Sequence, residues 1–68
     1  MSLSIVIPFH NEGKNVSTTI SKLHAFFKSN KLDGEIVAVD DRSTDDTGKI
    51  LDHISKRYKI LKVVHRKG

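Results

Sequence analysis

Cysteine is absent from this 68-residue chain, so no disulfide and no thiolate metal site can staple it. That fits a reducing compartment. No apolar stretch approaches the roughly 18 residues of a membrane span, and nothing at the N-terminus reads as a signal peptide. The chain has no internal repeat, low-complexity tract or linker. Two nucleotide fingerprints are also missing. Without G-x-G-x-x-G after the first strand, a dinucleotide fold lacks its phosphate turn, and without G-x-x-x-x-G-K-[ST] there is no P-loop. Charge of one sign is only mildly in excess. Twelve basic and eight acidic side chains give +4, too little to read as a nucleic-acid binder. Six of the basic residues fall between Lys56 and Lys67; a solvated helix end and strand explain them most simply.

The apolar residues that remain switch between continuous runs and helical spacing. Leu3 to Pro8 reads as a strand buried on both faces, because Ile5, Val6 and Ile7 are all apolar. From about Lys14 to Ser29, Val16, Ile20, Leu23 and Phe27 recur at helical spacing. Asn30 to Gly34 reads as a turn and Glu35 to Asp40 as a second buried strand. Ser43 or Thr44 can cap a second helix with Asp45 and Asp46 in its first turn. Its stripe is Thr47, Ile50 or Leu51, Ile54 and Tyr58. Lys59 to His65 then reads as a third strand. Short right-handed crossovers predict an α/β fold, β-α-β-α-β, with a three-stranded parallel sheet in the order 3-2-1 and both helices on one face. The opposite face and the free edge of the first strand have nothing in this chain to cover them. Self-association through either one is therefore expected.

In open α/β sheets, ligands bind outside the carboxyl ends of the strands. Here those ends carry Pro8-Phe9-His10-Asn11-Glu12 and Asp40-Asp41-Arg42-Ser43-Thr44-Asp45-Asp46-Thr47. Pro8 stiffens the first exit, since it has no N–H for the ladder. His10 can stack on or bond to a base, while Asn11 and Glu12 can cap a helix or bond to a ligand. Alternation sends the Asp40 and Asp41 side chains to opposite faces. An ionised aspartate only accepts, which suits a ring N–H or a ribose hydroxyl. Taken singly, Asp41 is a turn residue, His10 a loop residue, and His24, His53 and His65 surface residues without metal-ligand spacing. Tyr58 and the Phe26-Phe27 pair read as core. Only the joint pattern lifts Pro8, His10, Glu12 and Asp41 above these plain roles.

That joint pattern, Ser4 to Glu12 followed by Glu35 to Thr47, resembles the start of family 2 glycosyltransferases, and within them the dolichol-phosphate mannosyltransferase-like branch. The resemblance covers almost the whole chain and about the first third of a family catalytic domain. It implies that residues 1–68 are the N-terminal part of a GT-A (Rossmann-like) domain that binds a nucleotide-diphosphate sugar. Pro8 and His10 would line the base pocket, Glu12 would contact the nucleoside, and Asp41 would accept from the base with Asp40 supporting the strand end. The complete enzyme would be an inverting transferase acting on a lipid phosphate or glycan, with Mg or Mn as divalent cation. The family's D-x-D motif and catalytic base would lie beyond residue 68, leaving this chain inactive alone. A cytoplasmic location is expected, with membrane association an option for the complete protein. Two rivals stand beside this reading. One is a non-enzymatic, self-associating module; the other is a receiver-like domain, which would place aspartates after the first and third strands instead of the second.

Overall fold

The apolar alternation resolves into five elements in a computed structural model that describes residues 2–67. They are β1 (Ser2–Phe9), α1 (Gly13–Ser29), β2 (Asp33–Asp41), α2 (Thr47–Ser55) and β3 (Leu61–Arg66). The three strands form one parallel sheet with β2 in the centre. This is the expected order read from the other edge.

Register decides which side chains meet. Ile5 pairs with Ile36 and Ile7 with Ala38, while Ile36 pairs with Leu61 and Ala38 with Val63. This row faces the helices, and Ile36, Ala38 and Leu61 are buried. Helix α1 contributes Val16, Ile20 and Phe27 to the same core, and α2 contributes Thr47, Leu51 and Ile54. Losing most of one such side chain, as in Leu51→Ala, costs about 2–5 kcal/mol. That is a large share of the stability a chain this short can have. The other row is bare. Val6 and Val64 are 63% and 46% exposed. The total accessible surface is 4899 Å², against about 4,300 Å² for a compact monomer of this mass. The excess is in keeping with that uncovered sheet face.

Several boundaries differ from expectation for local reasons. Strand β1 runs one residue past Pro8, since an edge strand tolerates a missing N–H. Gly34 lies inside β2 and not in the turn. A Cβ there would run into the Leu3 carbonyl of β1, so the close approach of two strands requires glycine. The α1 terminus is closed by two backbone bonds, Lys31 N–H to the Lys28 carbonyl and Leu32 N–H to the Phe27 carbonyl. Lys31 sits at φ 51°, the left-handed position that usually takes glycine. Helix α2 begins only at Thr47, so Asp45 and Asp46 precede it. Tyr58 falls beyond α2 and rests on His24, ring centroids 4.6 Å apart. Phe26 is 47% exposed, so only Phe27 of that pair is core. Strand β3 starts two residues later and ends one later than expected, after a turn in which Leu61 N–H donates to the Tyr58 carbonyl.

Candidate functional site at the carboxyl ends of the strands

The chain leaves β1 through a residue in the left-handed region, Asn11 at φ 50°, which asparagine tolerates better than most. That turn aims the amide at the loop after β2. The Thr44 and Asp45 N–H groups donate to Asn11 Oδ1 at 2.7 and 3.2 Å. The Thr44 hydroxyl reaches the same oxygen at 3.3 Å. The Asn11 N–H in turn donates to Ser43 Oγ at 3.0 Å. The two loops are thus bonded directly to each other.

Asp45 and Thr47 extend the cross-link to the helix ends. Asp45 Oδ1 accepts from the Thr47 N–H at 2.9 Å and from the Thr47 hydroxyl. Its Oδ2 accepts from the Gly13 N–H, at the start of α1, at 3.2 Å. Buried Thr47 Oγ1 accepts from the Glu12 N–H at 3.0 Å. Hydrogen bonding from Thr47 holds the Asp45 carboxyl below its ordinary value. A carboxylate at two helix N-termini is favoured by both dipoles. Beside this cross-link, Gly13, Lys14, Asp45, Asp46 and Ile50 line an open depression of ≈ 240 Å³.

Of the expected site residues, His10, Glu12 and Asp41 are brought together. His10 Nδ1 lies 2.6 Å from the Asp41 backbone carbonyl. A carbonyl only accepts, so Nδ1 carries the proton. Asn11 Nδ2 then donates to Nε2 at 3.5 Å. The His10 N–H donates to Glu12 Oε1 at 3.3 Å. Pro8 pairs with Val39 on the open face and is exposed.

The two adjacent aspartates part company, as alternation requires. Asp41 pairs with Arg66 on the open face, and its Oδ1 lies 3.5 Å from Arg42 Nε and 3.9 Å from Arg66 Nε. That oxygen has no hydrogen-bond partner. Arg42, at φ 55°, is a second left-handed residue at this rim. Asp40 turns toward α2, where its Oδ2 meets His65 Nδ1 at 3.0 Å. The Ser43 hydroxyl beside it does most to hold the Asp40 carboxyl below its ordinary value, against partial burial and with help from His65. Asp40 Oδ1 itself is enclosed and has no hydrogen-bond partner.

His65 is therefore no free surface residue. Its register with Asp40 was available from the alternation Leu61, Val63, His65. Asn11 also does something a motif cannot show: it caps the neighbouring loop and not its own helix.

Residues 4–68 match the family model described as Glycosyl transferase family 2. The chain belongs to that family. It is 33% identical over 63 residues, 91% of its length, to the probable glycosyltransferase YdaM of Bacillus subtilis, covering 14% of that protein. It is 38% identical over 66 residues, 97% of its length, to the poly(ribitol-phosphate) beta-glucosyltransferase of Bacillus spizizenii, covering 10% of it. The chain thus spans a small part of the curated relatives it matches. These matches carry the glycosyltransferase family, and not the dolichol-phosphate mannosyltransferase-like branch within it.

Among the described residues no group of three or more histidine, aspartate or glutamate side chains can hold a metal ion. No helix among them is long and apolar enough to cross a membrane.

Proposed function

We propose that this chain is the nucleotide-binding portion of an inverting glycosyltransferase. The complete protein takes a sugar from a nucleotide-diphosphate donor and passes it to a lipid phosphate or a glycan. One observation carries the reading: the bonds between the two strand-end loops put His10, Glu12 and the Asp41 turn on one exposed ledge. A ledge fixed in advance loses little conformational freedom when ligand binds.

On that ledge, the Asp41 carboxylate serves as acceptor for a ring N–H of the base from its partly exposed side, its Oδ1 being enclosed beside Arg42 and Arg66. His10, held in one tautomer by the Asp41 carbonyl, offers its ring face and Pro8 an apolar neighbour. Glu12 reaches the nucleoside. Asp40 holds the strand end from the helix side. The cation that offsets diphosphate charge would be bound by residues outside this sequence. The chain alone therefore binds and does not transfer.

The second reading, a self-associating module with little or no nucleotide affinity, is favoured by the exposed Val6 and Val64. Calorimetric titration with uridine and guanosine diphosphates and their sugar conjugates separates the two. Binding that Asp41→Ala removes supports the first reading. A folded oligomer that binds none of them supports the second.

A further inference from the structure

Outside the ledge, one histidine sits where its chemistry is over-determined. His65 Nδ1 lies 3.0 Å from Asp40 Oδ2, and Nε2 lies 2.9 Å from Asp52 Oδ1. Ionised carboxylates only accept, and a neutral imidazole donates from one nitrogen alone. Both contacts are hydrogen bonds only when the ring is a cation. We propose that Asp40, His65 and Asp52 form a proton-operated clasp that ties the ends of β2 and β3 to α2. It is complete with the imidazolium and half-released with the neutral ring.

The partners on every packed element are few. Strand β2 supplies Asp40 and α2 supplies Asp52, while Arg66, next along β3, lies on the open face with Asp41. At Gly48 of α2 a Cβ would strike Asp40 Oδ2 and come within 3.3 Å of His65 Cε1. Glycine there is what lets the helix close on the pair. The two carboxylates are not equivalent: the Asp40 side chain is 13% exposed and that of Asp52 is 60% exposed. When the ring gives its proton to solvent, water can replace the bond to Asp52 but reaches Asp40 poorly. The neutral ring therefore keeps Nδ1–H toward Asp40, and α2 is the element let go.

The directions of titration agree. Hydrogen bonding to Asp40, then to Asp52, raises the His65 value above 6.5 against the opposing desolvation. A raised histidine gives stability that is complete below 6.5 and is lost as pH rises through the folded value. Asp40, lowered from 3.8, adds stability present above 3.8 and lost as pH falls through its folded value. The clasp is thus closed between those limits and opens on the alkaline side. It does not depend on what the ledge binds.

Long-range nitrogen–proton NMR of the imidazole rings tests it, from about pH 5 to about pH 9, bracketing ordinary histidine titration. The expected result is a His65 midpoint above 6.5, an Nδ1–H tautomer beyond it, and a fall in that midpoint in Asp52→Asn. That exposed variant should fold, and its melting temperature should approach wild type as pH rises through the midpoint. A His65 midpoint at or below 6.5, an Nε2–H tautomer, no response to Asp52→Asn, or a melting gap independent of pH would each overturn the clasp.

Discussion

Replacing Asn11 tests whether the two loops are truly held by one side chain. In Asn11→Ala, the Thr44 and Asp45 N–H groups lose the acceptor they share at 2.7 and 3.2 Å. At about 0.5–1.5 kcal/mol for each bond, and in the lower half because water can reach them, the loss is about 1–2 kcal/mol. Alanine must also hold the left-handed backbone of φ 50°, adding about 1 kcal/mol. Asn11→Gly loses the bonds without that strain, so it should cost about 1–2 kcal/mol. Asn11→Asp keeps an acceptor and should stay nearest to wild type. Urea unfolding followed by circular dichroism ranks the three. In a domain of this size, Asn11→Ala should also lower Tm by about 10 °C or more. Equal losses for alanine and glycine would refute the strain component. Wild-type stability in both would refute the cross-link itself.

Lys31→Gly should stabilise the chain by about 1 kcal/mol, because glycine takes the left-handed α1 terminus at no steric cost; denaturant midpoints check this. Gly34→Ala should cost about 3 kcal/mol, the upper range for overpacking, since the obstacle is the Leu3 backbone and cannot swing aside. A Gly34→Ala variant that melts like wild type would contradict that contact. Asp45 is held below its ordinary value of 3.8, so its contribution is complete above 3.8 and fades as acid takes pH through the folded value. Acid unfolding of Asp45→Asn should accordingly show a shallower dependence than wild type in that range. The isolated chain should sediment as an oligomer through its bare valine face or β1 edge, and a folded monomer at micromolar concentration would count against this.

Topology was readable because the apolar runs are strong and register follows from alternation. Ile36, Ala38, Asp40 and Leu61, Val63, His65 lie on one face by parity alone. What escaped was governed by contacts distant in sequence. Gly34 looks like a turn residue until β1 is laid beside it. Asp45 and Asp46 look like the first turn of a helix, yet Asp45 spends its oxygens on Thr47 and Gly13, and α2 starts later. Phe26 and Phe27 are adjacent, and only helix phase tells which one is buried. At the rim, the motifs named His10, Glu12 and Asp41 but could not show that Asn11 is what joins their loops.

The central claim, that the ledge at the ends of β1 and β2 takes a nucleotide, is tested most directly by amide NMR of the chain during titration with nucleoside diphosphates. The account predicts shifts concentrated at His10 to Glu12 and Asp41 to Ser43, weak but saturable, and absent in Asp41→Ala. A folded chain whose ledge amides stay still, or whose shifts gather around Lys28, Lys31 and Ile60 at the opposite cavity, would contradict it.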